Sequence, residues 1–563
     1  MKYLLFSAFF LLILSWLMPN HYVPWLASHS EFLAFLFGLM VLLFLCLNYK
    51  EIKLPVKYFF VLFLGFIPVV QWVMGCIYFF GDAVVSSIYL ISFFIMLILG
   101  YNIGKDNSYR NFIILLFFAA ILFSSVVSVY ISLLQWLDLT NGSIWIAELP
   151  HNRPFGNFAQ PNTMSTFSIM GVIAVIFLYE KEYFNKFLAY FVITFLIFGV
   201  ALTQSRTAWI ALPSLIVLFW WFGRSKLFFK FNYVNLIVIN LIFILFVISL
   251  PFFSKTLNLV DIHDAVNRAS TGHNRFYLWQ QLLLAAWEKP WFGYGWNQVG
   301  VAQVEITLTY GFPEWITHSH NILLDFIIWM GIPLGILTIL FLFLWIYQLV
   351  ISVNSIESVL VLIMIFVVFN HSMFEFPLEY SFFLLPVGFL IGFIQVDDSS
   401  IKSFDVDNDF FWVLFFISIL LFMQIFKEYR AIEKDVQLAR FELLNIGDIH
   451  SPIAAPNVLF LTQLSEQLRY MRTKPRKNMS PKQLEWMRKV AYRYATQAAL
   501  FRYAQALALN DHKTLADQQL VIIYKLHGKK IAPETLYQTR DSLAFSWENN
   551  QSESNVDKSL SDE

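Results

Sequence analysis

Residues 186–224 read KFLAYFVITFLIFGVALTQSRTAWIALPSLIVLFWWFGR. Two apolar runs, 187–204 and 207–222, flank a polar break at Gln204, Ser205 and Arg206. A helix that crosses a bilayer needs roughly 20 mainly apolar residues. The stretch therefore predicts two membrane helices joined by a tight turn, and a single long interrupted segment is the alternative reading.

The rest of the chain has the same character. Of its 563 residues, 58% are hydrophobic and only 13% are charged, with no net charge, whereas soluble domains carry about 25% charged residues. Two cysteines, Cys46 and Cys76, offer neither a disulfide framework nor a zinc-site spacing. The composition excludes a soluble enzyme, a secreted disulfide scaffold and a disordered protein. We predict an all-α polytopic membrane protein with about thirteen transmembrane helices, at 3–18, 31–48, 58–75, 83–100, 111–136, 164–180, 187–204, 207–222, 233–250, 321–349, 355–370, 381–395 and 410–426.

The orientation follows from the basic residues in the short loops. If Lys2 lies inside and the spans alternate, the inner loops hold eleven further Lys or Arg residues, and the short outer loops hold only Arg153 and Arg206. Positive charge accumulates on the cytoplasmic side of membrane proteins. The pattern predicts a multi-pass protein of the bacterial inner membrane with a periplasmic C-terminal region. The inner loop at 349–357 has no positive charge, so the spans beside it are less well defined.

The predicted domains are a membrane domain, 1–426, and a soluble periplasmic helical domain, 427–540. The membrane domain includes a large periplasmic loop, 251–320, that is rich in Trp, Gly and Pro turns. The polar tail 541–563 is predicted to be disordered.

The C-terminal helical domain has two noteworthy features. Residues 482–527 read as two amphipathic helices broken near Asn510, loosely like a tetratricopeptide hairpin. Residues 469–493 contain nine Lys or Arg residues, and Glu485 is their only acid. This basic segment is either a solvated or lipid-facing patch, or a contact for an acidic partner protein.

Two arginines stand at the predicted outer face. Arg206 lies in the tight turn between two spans, and Arg275 starts an amphipathic helix in the large loop. The simpler interpretation is that Arg206 is an interfacial side chain and that Arg275 is a solvated charge on a helix. The planar guanidinium binds phosphate oxygens through two parallel hydrogen bonds, so both residues together could hold a diphosphate.

The segment His318-Ser319-His320-Asn321 lies where the span 321–349 begins. Ser319 is the predicted N-cap. The positive end of the helix dipole favours a neutral ring at His320, which could accept a proton as a general base. Asp325, about 140° around the helix, is expected to be a poor orienting partner. The alternative is a capping or interfacial pair, and metal binding is not expected because no third ligand lies nearby.

Two further polar segments lie on the same predicted face. One is Arg153-Pro-Phe-Gly-Asn-Phe-Ala-Gln160-Pro-Asn162, and the other is Asn370-His-Ser-Met-Phe-Glu375-Phe-Pro-Leu-Glu-Tyr380. Either segment alone could be a capped turn. Five polar segments at one face of an apolar bundle indicate a site at that face.

These residues resemble a known family. The chain resembles the bacterial O-antigen ligase and polymerase (WaaL/Wzy) superfamily, and within it the protein O-oligosaccharyltransferases of the PglL and pilin-glycosylating type. The motifs are the segment 153–162, Gln-Ser-Arg-Thr-Ala at 204–208, Arg275 with Trp279, and His320-Asn321 followed after nine residues by Gly331. The family's next glycine position holds Leu334, and Gly335 follows one residue later. The resemblance covers the chain from about residue 150 to the C-terminal domain.

The resemblance implies a function and roles for matching residues. A glycan would pass from undecaprenyl diphosphate to Ser or Thr of periplasmic proteins such as type IV pilin, without a metal or other cofactor. His320 would be the catalytic base, and Arg206 and Arg275 would hold the diphosphate. The other candidates for the active site are Gln160, Asn321, His318, Arg153, Glu375 and Tyr380.

Three other functions are alternatives to this one on the sequence alone. An O-antigen ligase acting on lipid A–core and a Wzy-type polymerase would share the fold and differ in the acceptor. An exporter of lipid-linked glycan would need charged residues deep within its spans, whereas the notable residues here lie at one face. The partners expected are the lipid-linked donor, an acceptor protein and membrane lipid, and no nucleic acid.

Overall fold

The computed structural model describes residues 1–140, 142–149, 152–224, 229–259, 274–443 and 454–537. The predicted disordered tail 541–563 lies outside these residues, as do residues 260–273 of the predicted large loop. The described apolar part contains helices α1 Lys2–Leu17, α2 Ser28–Asn48, α3 Phe59–Val73, α4 Phe80–Lys105, α5 Asn107–Trp136, α6 Pro161–Glu180, α7 Lys186–Leu202, α8 Ala208–Arg224 and α9 Tyr233–Thr256. Next come α10 Asn274–Glu288, α11 Val299–Ile306, α12 Ile322–Met330, α13 Ile332–Ser352, α14 Ile356–Ser372, α15 Ser381–Ile394 and α16 Asn408–Leu443.

The chain is a multi-pass membrane protein. Within the described ranges, eight helices are long and apolar enough to cross a bilayer, and five shorter helices are also apolar. Every predicted apolar segment except 321–349 lies largely on one of these helices, including the pair α7 and α8 on either side of the Gln204 break. The number of thirteen crossings stays a prediction. α16 extends from the predicted end at 426 to Leu443, because apolar residues continue along one side of the helix and pack there.

The predicted span 321–349 is broken into α12 and α13 at Gly331. Gly331 has φ +80° and ψ 169°, a conformation that is essentially confined to glycine. A Cβ atom at this position would lie 2.6 Å from the backbone of Trp291. Backbone hydrogen bonds join the loop 290–294 to the residues around this break. Ile332 N–H donates to Pro290 O at 2.7 Å, and Tyr294 N–H donates to Ile328 O at 2.8 Å. The break fixes the short helix α12, which follows the His318–Asn321 segment.

A small sheet closes one end of the helix bundle. Strands β1 Glu51–Pro55 and β2 Ser403–Asp407 pair antiparallel, with Glu51 opposite Asp407. The all-α prediction missed these five-residue strands, because the apolar alternation in each is only two residues long: Ile52 and Leu54 in β1, and Phe404 and Val406 in β2.

The loop after α1 lies at the opposite end of α2 from β1. It meets the loops after α5 and α7, because Asn157 Nδ2 donates to Leu17 O at 2.7 Å and Arg153 Nε donates to Thr203 O at 3.0 Å. We call this opposite end the site end.

Four helices form a bundle at the site end. They are α17 Thr462–Arg472, α18 Pro481–Arg493, α19 Gln497–Leu509 and α20 Lys513–His527. The prediction of two helices over 482–527 was wrong, because Thr496 caps a separate helix by accepting from Ala499 N–H. The likeness to a tetratricopeptide hairpin stays a prediction. The bundle core includes Met487, Leu500 and Ile523, and it packs directly against Phe79 of the apolar part.

Candidate active site

The centre of the candidate site is the carboxylate of Glu375, between α14 and α15. Its Oε1 accepts hydrogen bonds from Asn162 Nδ2 at 3.0 Å and from Arg275 at 2.7 Å. Its Oε2 accepts from Gln160 Nε2 at 3.2 Å and lies 2.9 Å from His320 Nδ1. Four of the predicted candidates, Gln160, Arg275, His320 and Glu375, therefore meet around one side chain. They come from four segments that are far apart in the chain.

The surroundings of Glu375 keep it ionised. Burial alone would raise its pKa, but the hydrogen bond from His320 and the nearby Arg275 guanidinium lower the pKa to about 2. An ionised carboxylate only accepts hydrogen bonds, so His320 Nδ1 carries the proton in this contact. His320 Nε2 is then the ring nitrogen that can act on another group. The pair has the arrangement of a general base oriented by a carboxylate.

The loop that contains Arg206 is joined to the same network. Ser205 Oγ donates to Asn162 Oδ1 at 2.8 Å. Arg153 Nε donates to the carbonyl of Thr203 at 3.0 Å, and a terminal nitrogen of Arg153 donates to Asn162 Oδ1 at 3.3 Å. Arg206 itself is exposed. Arg153 thus supports the backbone beside Arg206.

Three residues in the site loops have left-handed backbone conformations. Ala159, Gln204 and His320 have φ values of +57°, +49° and +59°. Each conformation is unfavourable for a residue with a side chain, and such strain clusters at active sites and ligand-binding loops. The three lie in the Gln160, Arg206 and His320 segments.

The predicted N-cap of the His320 segment was wrong. Asn321, not Ser319, caps α12, and its side chain accepts from Leu323 and Leu324 N–H. Ser319 stabilises the turn instead, because its hydroxyl donates to Asn321 O at 2.8 Å and its N–H donates to Asp325 Oδ1 at 3.0 Å. Asp325 thus orients the turn, while Glu375 contacts His320. The side chain of Asn321 is used in capping, and a further role for it stays a prediction.

His318 lies on the other side of Phe376. The two rings stack with centroids 4.2 Å apart, and His318 Nδ1 lies 2.8 Å from Glu379 Oε1. Burial would lower the pKa of His318, but the charge of Glu379 outweighs it and raises the pKa above its usual value. Tyr380, the remaining candidate, follows Glu379 and lies 5.9 Å from Phe376, ring centroid to centroid. His318 and Tyr380 therefore belong to a second polar group beside the Glu375 network.

A large cavity opens beside this second group. Its volume is about 1010 Å³, and its lining includes His318, Glu379, Tyr380 and Arg493 at one end. The remainder is mostly apolar and includes Val217 and Trp221 of α8, Phe341 and Trp345 of α13, and Phe369 of α14. The cavity thus runs from the polar site end into the apolar helix bundle.

Sequence reasoning missed four residues of this arrangement. Asn162 lies within the 153–162 motif and had no predicted role, although an amide after Gln160-Pro161 is a signal of a polar helix start. Phe376 and Glu379 were within the 370–380 segment without an assigned role. Arg493, from the C-terminal bundle, lines the cavity, and no sequence signal could connect it with residues more than a hundred positions away.

Known protein families and relatives match most of this chain. The family model described as O-antigen ligase matches residues 189–340, and a model described as the C-terminal part of a membrane-bound polymerase virulence factor matches residues 359–533. The chain is 31% identical to a general O-oligosaccharyltransferase of Acinetobacter baylyi over 543 residues, which is 95% of this chain and 94% of the relative. It is 27% identical over 537 residues to a ComP-specific O-oligosaccharyltransferase of the same organism, covering 93% of this chain and 95% of that relative.

Proposed function

This chain belongs to the protein O-oligosaccharyltransferases of the O-antigen ligase superfamily, and we propose that it moves a glycan from undecaprenyl diphosphate to Ser or Thr of periplasmic proteins. It is a glycosyltransferase of O-linked protein glycosylation. The proposal places it in the bacterial inner membrane with the site end in the periplasm. Type IV pilin is the acceptor that we propose to test first.

The contact between His320 Nδ1 and Glu375 is the observation that supports the proposed mechanism. Glu375 holds the ring so that Nε2 takes the proton of the acceptor hydroxyl. The hydroxyl oxygen then forms a bond to the anomeric carbon of the donor sugar, and the bond from that carbon to the diphosphate oxygen breaks. Both electrons of that bond leave with undecaprenyl diphosphate, and the proton passes from His320 to solvent.

Two arginines are proposed to hold the diphosphate. Arg275 uses one terminal nitrogen on Glu375, and a guanidinium has five N–H donors, so the others can bind phosphate oxygens. Arg206 is exposed in a loop that joins the same network through the Ser205 hydroxyl. Positive charge at this point stabilises the negative charge that develops on the leaving group.

The cavity beside His318 is proposed to hold part of the donor's polyprenyl tail. Its inner end is apolar, and its lining includes residues of the apolar helices α3, α4, α8, α13, α14 and α15. Burial of apolar surface contributes about 25 cal/mol per Å², so such a lining favours a hydrocarbon chain. The polar end of the cavity at His318 is separated from His320 by the Phe376 ring.

The test is the intact mass of a co-expressed type IV pilin in Gram-negative cells that make a lipid-linked glycan. We expect a glycan-sized mass increment with the wild-type enzyme and a loss of transfer by about 10²- to 10⁴-fold with His320→Ala, the usual contribution of a general base. His512→Ala, at an exposed position of the C-terminal bundle, is the matched control and should retain transfer.

The same cells provide the discriminating outcomes. An increment that persists with His320→Ala at normal enzyme levels contradicts the role of His320. If pilin remains unmodified by the wild type, the masses of the other periplasmic proteins are measured. Absence of a glycan increment on all of them, with a changed lipopolysaccharide ladder, contradicts a protein acceptor and favours ligase or polymerase activity.

A further inference from the structure

The nine cations of the segment 469–493 fall into two groups. Arg469, Arg472, Lys489, Arg488 and Arg493 contact acidic or aromatic side chains of the protein. The other four are exposed and form no ion pair with any described residue; they are Lys474, Arg476, Lys477 and Lys482. We call these four residues the basic tip, because they lie at the turn between α17 and α18.

The basic tip is held in a defined shape. Asn510, at the end of α19, accepts from Met479 N–H at 2.8 Å and donates to Arg476 O at 2.8 Å. Ser480 and Gln483 form a reciprocal capping box at the start of α18. The backbone that carries the four cations is therefore ordered before any partner binds, which lowers the entropic cost of association.

The helices that carry the tip point away from the membrane helices. The start of α17 is fixed at the site end, because Thr462 Oγ1 accepts from Gly81 N–H at the beginning of α4. Its last residue, Arg472, pairs with Asp435 and Glu442 on the extension of α16. α17 has 11 residues at 1.5 Å each, so it can hold the tip up to about 16 Å from its start.

This height argues against a lipid-headgroup contact. The headgroup layer adds roughly 5–8 Å on each side of the hydrocarbon core, and salt screens charge within about 8 Å at physiological ionic strength. Together these distances end near the height of the tip, so lipid charge contributes little there. A macromolecule in solution can reach it freely.

We propose that the basic tip docks an acidic segment of the acceptor protein, at a distance from the hydroxyl residue that is glycosylated. The proposal rests on the proposed function. α18 runs from the tip to Arg493, which lines the cavity beside His318, and its 13 residues span about 20 Å. An extended chain covers at most about 3.3–3.6 Å per residue, so roughly six or more residues must separate the acidic segment from the modified residue.

The experiment uses a periplasmic carrier protein that ends in the Ser- or Thr-containing segment identified by the pilin or periplasmic mass measurement. A Gly/Ser linker of either two or eight residues follows, and then four Asp or four Asn residues. Each exposed ion pair is worth about a factor of two in affinity. We therefore expect the full-length wild-type enzyme to show a roughly tenfold lower KM for the Asp form with the long linker than for the Asn form, at equal kcat.

The linker and the variants locate the effect. The short linker should remove most of the difference, because its acidic run cannot reach the tip. The triple variant Arg476→Glu, Lys477→Glu, Lys482→Glu should also remove it and should prefer a carrier with four Lys residues. The control triple variant Lys427→Glu, Lys434→Glu, Lys530→Glu reverses three exposed cations elsewhere on the same side and should keep the wild-type preference.

Other results distinguish a failure of the docking site from a failure of the proposed function. Equal use of all carriers by the wild type, with transfer intact, overturns the docking site alone. The docking site is also overturned if the control triple variant abolishes the preference for the Asp carrier. A third overturning result is an activity of the tip variant that depends on the anionic lipid content of the membranes and not on the carrier. Absence of transfer to every carrier that contains the verified segment overturns the proposed function, and the docking site with it.

Discussion

At the scale of single residues, Glu375 controls the candidate site. Gln160, Asn162, Arg275 and His320 all contact its two carboxylate oxygens. It is only 5% exposed, so its charge is compensated by Arg275 and His320 rather than by bulk water. Glu375 is therefore proposed as a positioning residue that acts through the ring of His320.

Glu375→Gln should lower kcat by roughly 10²-fold or more, because a neutral amide no longer stabilises the imidazolium that forms as His320 takes a proton. The KM for the acceptor should change little. The measurement is the initial rate of transfer across a pH series, with protein level and apparent Tm as checks on folding. Gln424→Ala is the matched control, since it removes an amide hydrogen bond to a carboxylate, that of Glu428, outside the site.

A merely structural role for Glu375 makes a different prediction. In that case Glu375→Gln would lower the Tm and the amount of active enzyme, while kcat per active enzyme and the shape of the pH profile would stay the same. Glu375→Asp retains the charge at a greater distance, and partial recovery of kcat by this variant would support the positioning role.

The His318–Glu379 pair predicts a pH-dependent contribution to stability. The folded-state pKa of His318 is raised above its usual value of 6.5, so the stabilisation is fully present below about pH 6.5 and is lost as the pH rises through the folded pKa. Glu379→Gln should lower the apparent Tm by about 2 °C or more near pH 6, and by less near pH 9. Thermal unfolding scans of the detergent-solubilised wild type and variant at both pH values test this. A difference in Tm between the two that grows with pH would contradict it.

The sequence predicted the members of the site better than their contacts. His320, Arg275, Gln160 and Glu375 were candidates because polar residues beside apolar spans are unusual. The pairing of His320 with Glu375 could not be predicted, since 55 residues separate them and no periodicity relates two loops. Ser319 and Asn321 are both good N-caps, and only the backbone decides between them.

At the scale of elements, Gly331 determines where α12 ends. Gly331→Ala places a Cβ atom about 2.6 Å from the Trp291 backbone in a conformation with φ +80°. We expect a loss of stability of about 1–3 kcal/mol or more, seen as a lower apparent Tm. Gly223→Ala is the control, because its Cβ would meet no atom within 4 Å. Equal Tm values for the two variants would contradict the importance of the break.

The helices were predictable because a bilayer imposes a minimum length of apolar sequence. The break at Gly331 was missed, since both α12 and α13 are apolar and a glycine within such a run is compatible with a continuous helix. The strands β1 and β2 were missed because the apolar alternation in each is only two residues long. Their pairing joins residues 51–55 and 403–407, and no local pattern shows which distant segment a strand pairs with.

At the scale of the whole molecule, the C-terminal bundle is attached at several points. Arg493 forms two hydrogen bonds with Asp82 at the start of α4, at 3.0 and 2.9 Å. Glu428 of α16 accepts from three successive backbone N–H groups, those of Leu459, Phe460 and Leu461. The bundle is therefore packed onto the membrane helices and contributes Arg493 to the lining of the cavity.

The buried Arg493–Asp82 ion pair is expected to couple the C-terminal bundle to the membrane helices. Both side chains are largely buried, with 19% and 5% exposure, and removal of one partner from a buried pair costs about 3–5 kcal/mol because the other charge is left uncompensated. Arg493→Ala and Asp82→Ala should each increase hydrogen–deuterium exchange at the start of α4 and the end of α18, and should reduce transfer. The double variant should be less impaired than the sum of the two, since it leaves no unpaired charge. Arg430→Ala, which disrupts an ion pair within α16, should leave this exchange unchanged. Strictly additive effects at Arg493 and Asp82 would mean that the pair does not couple the bundle to the membrane helices.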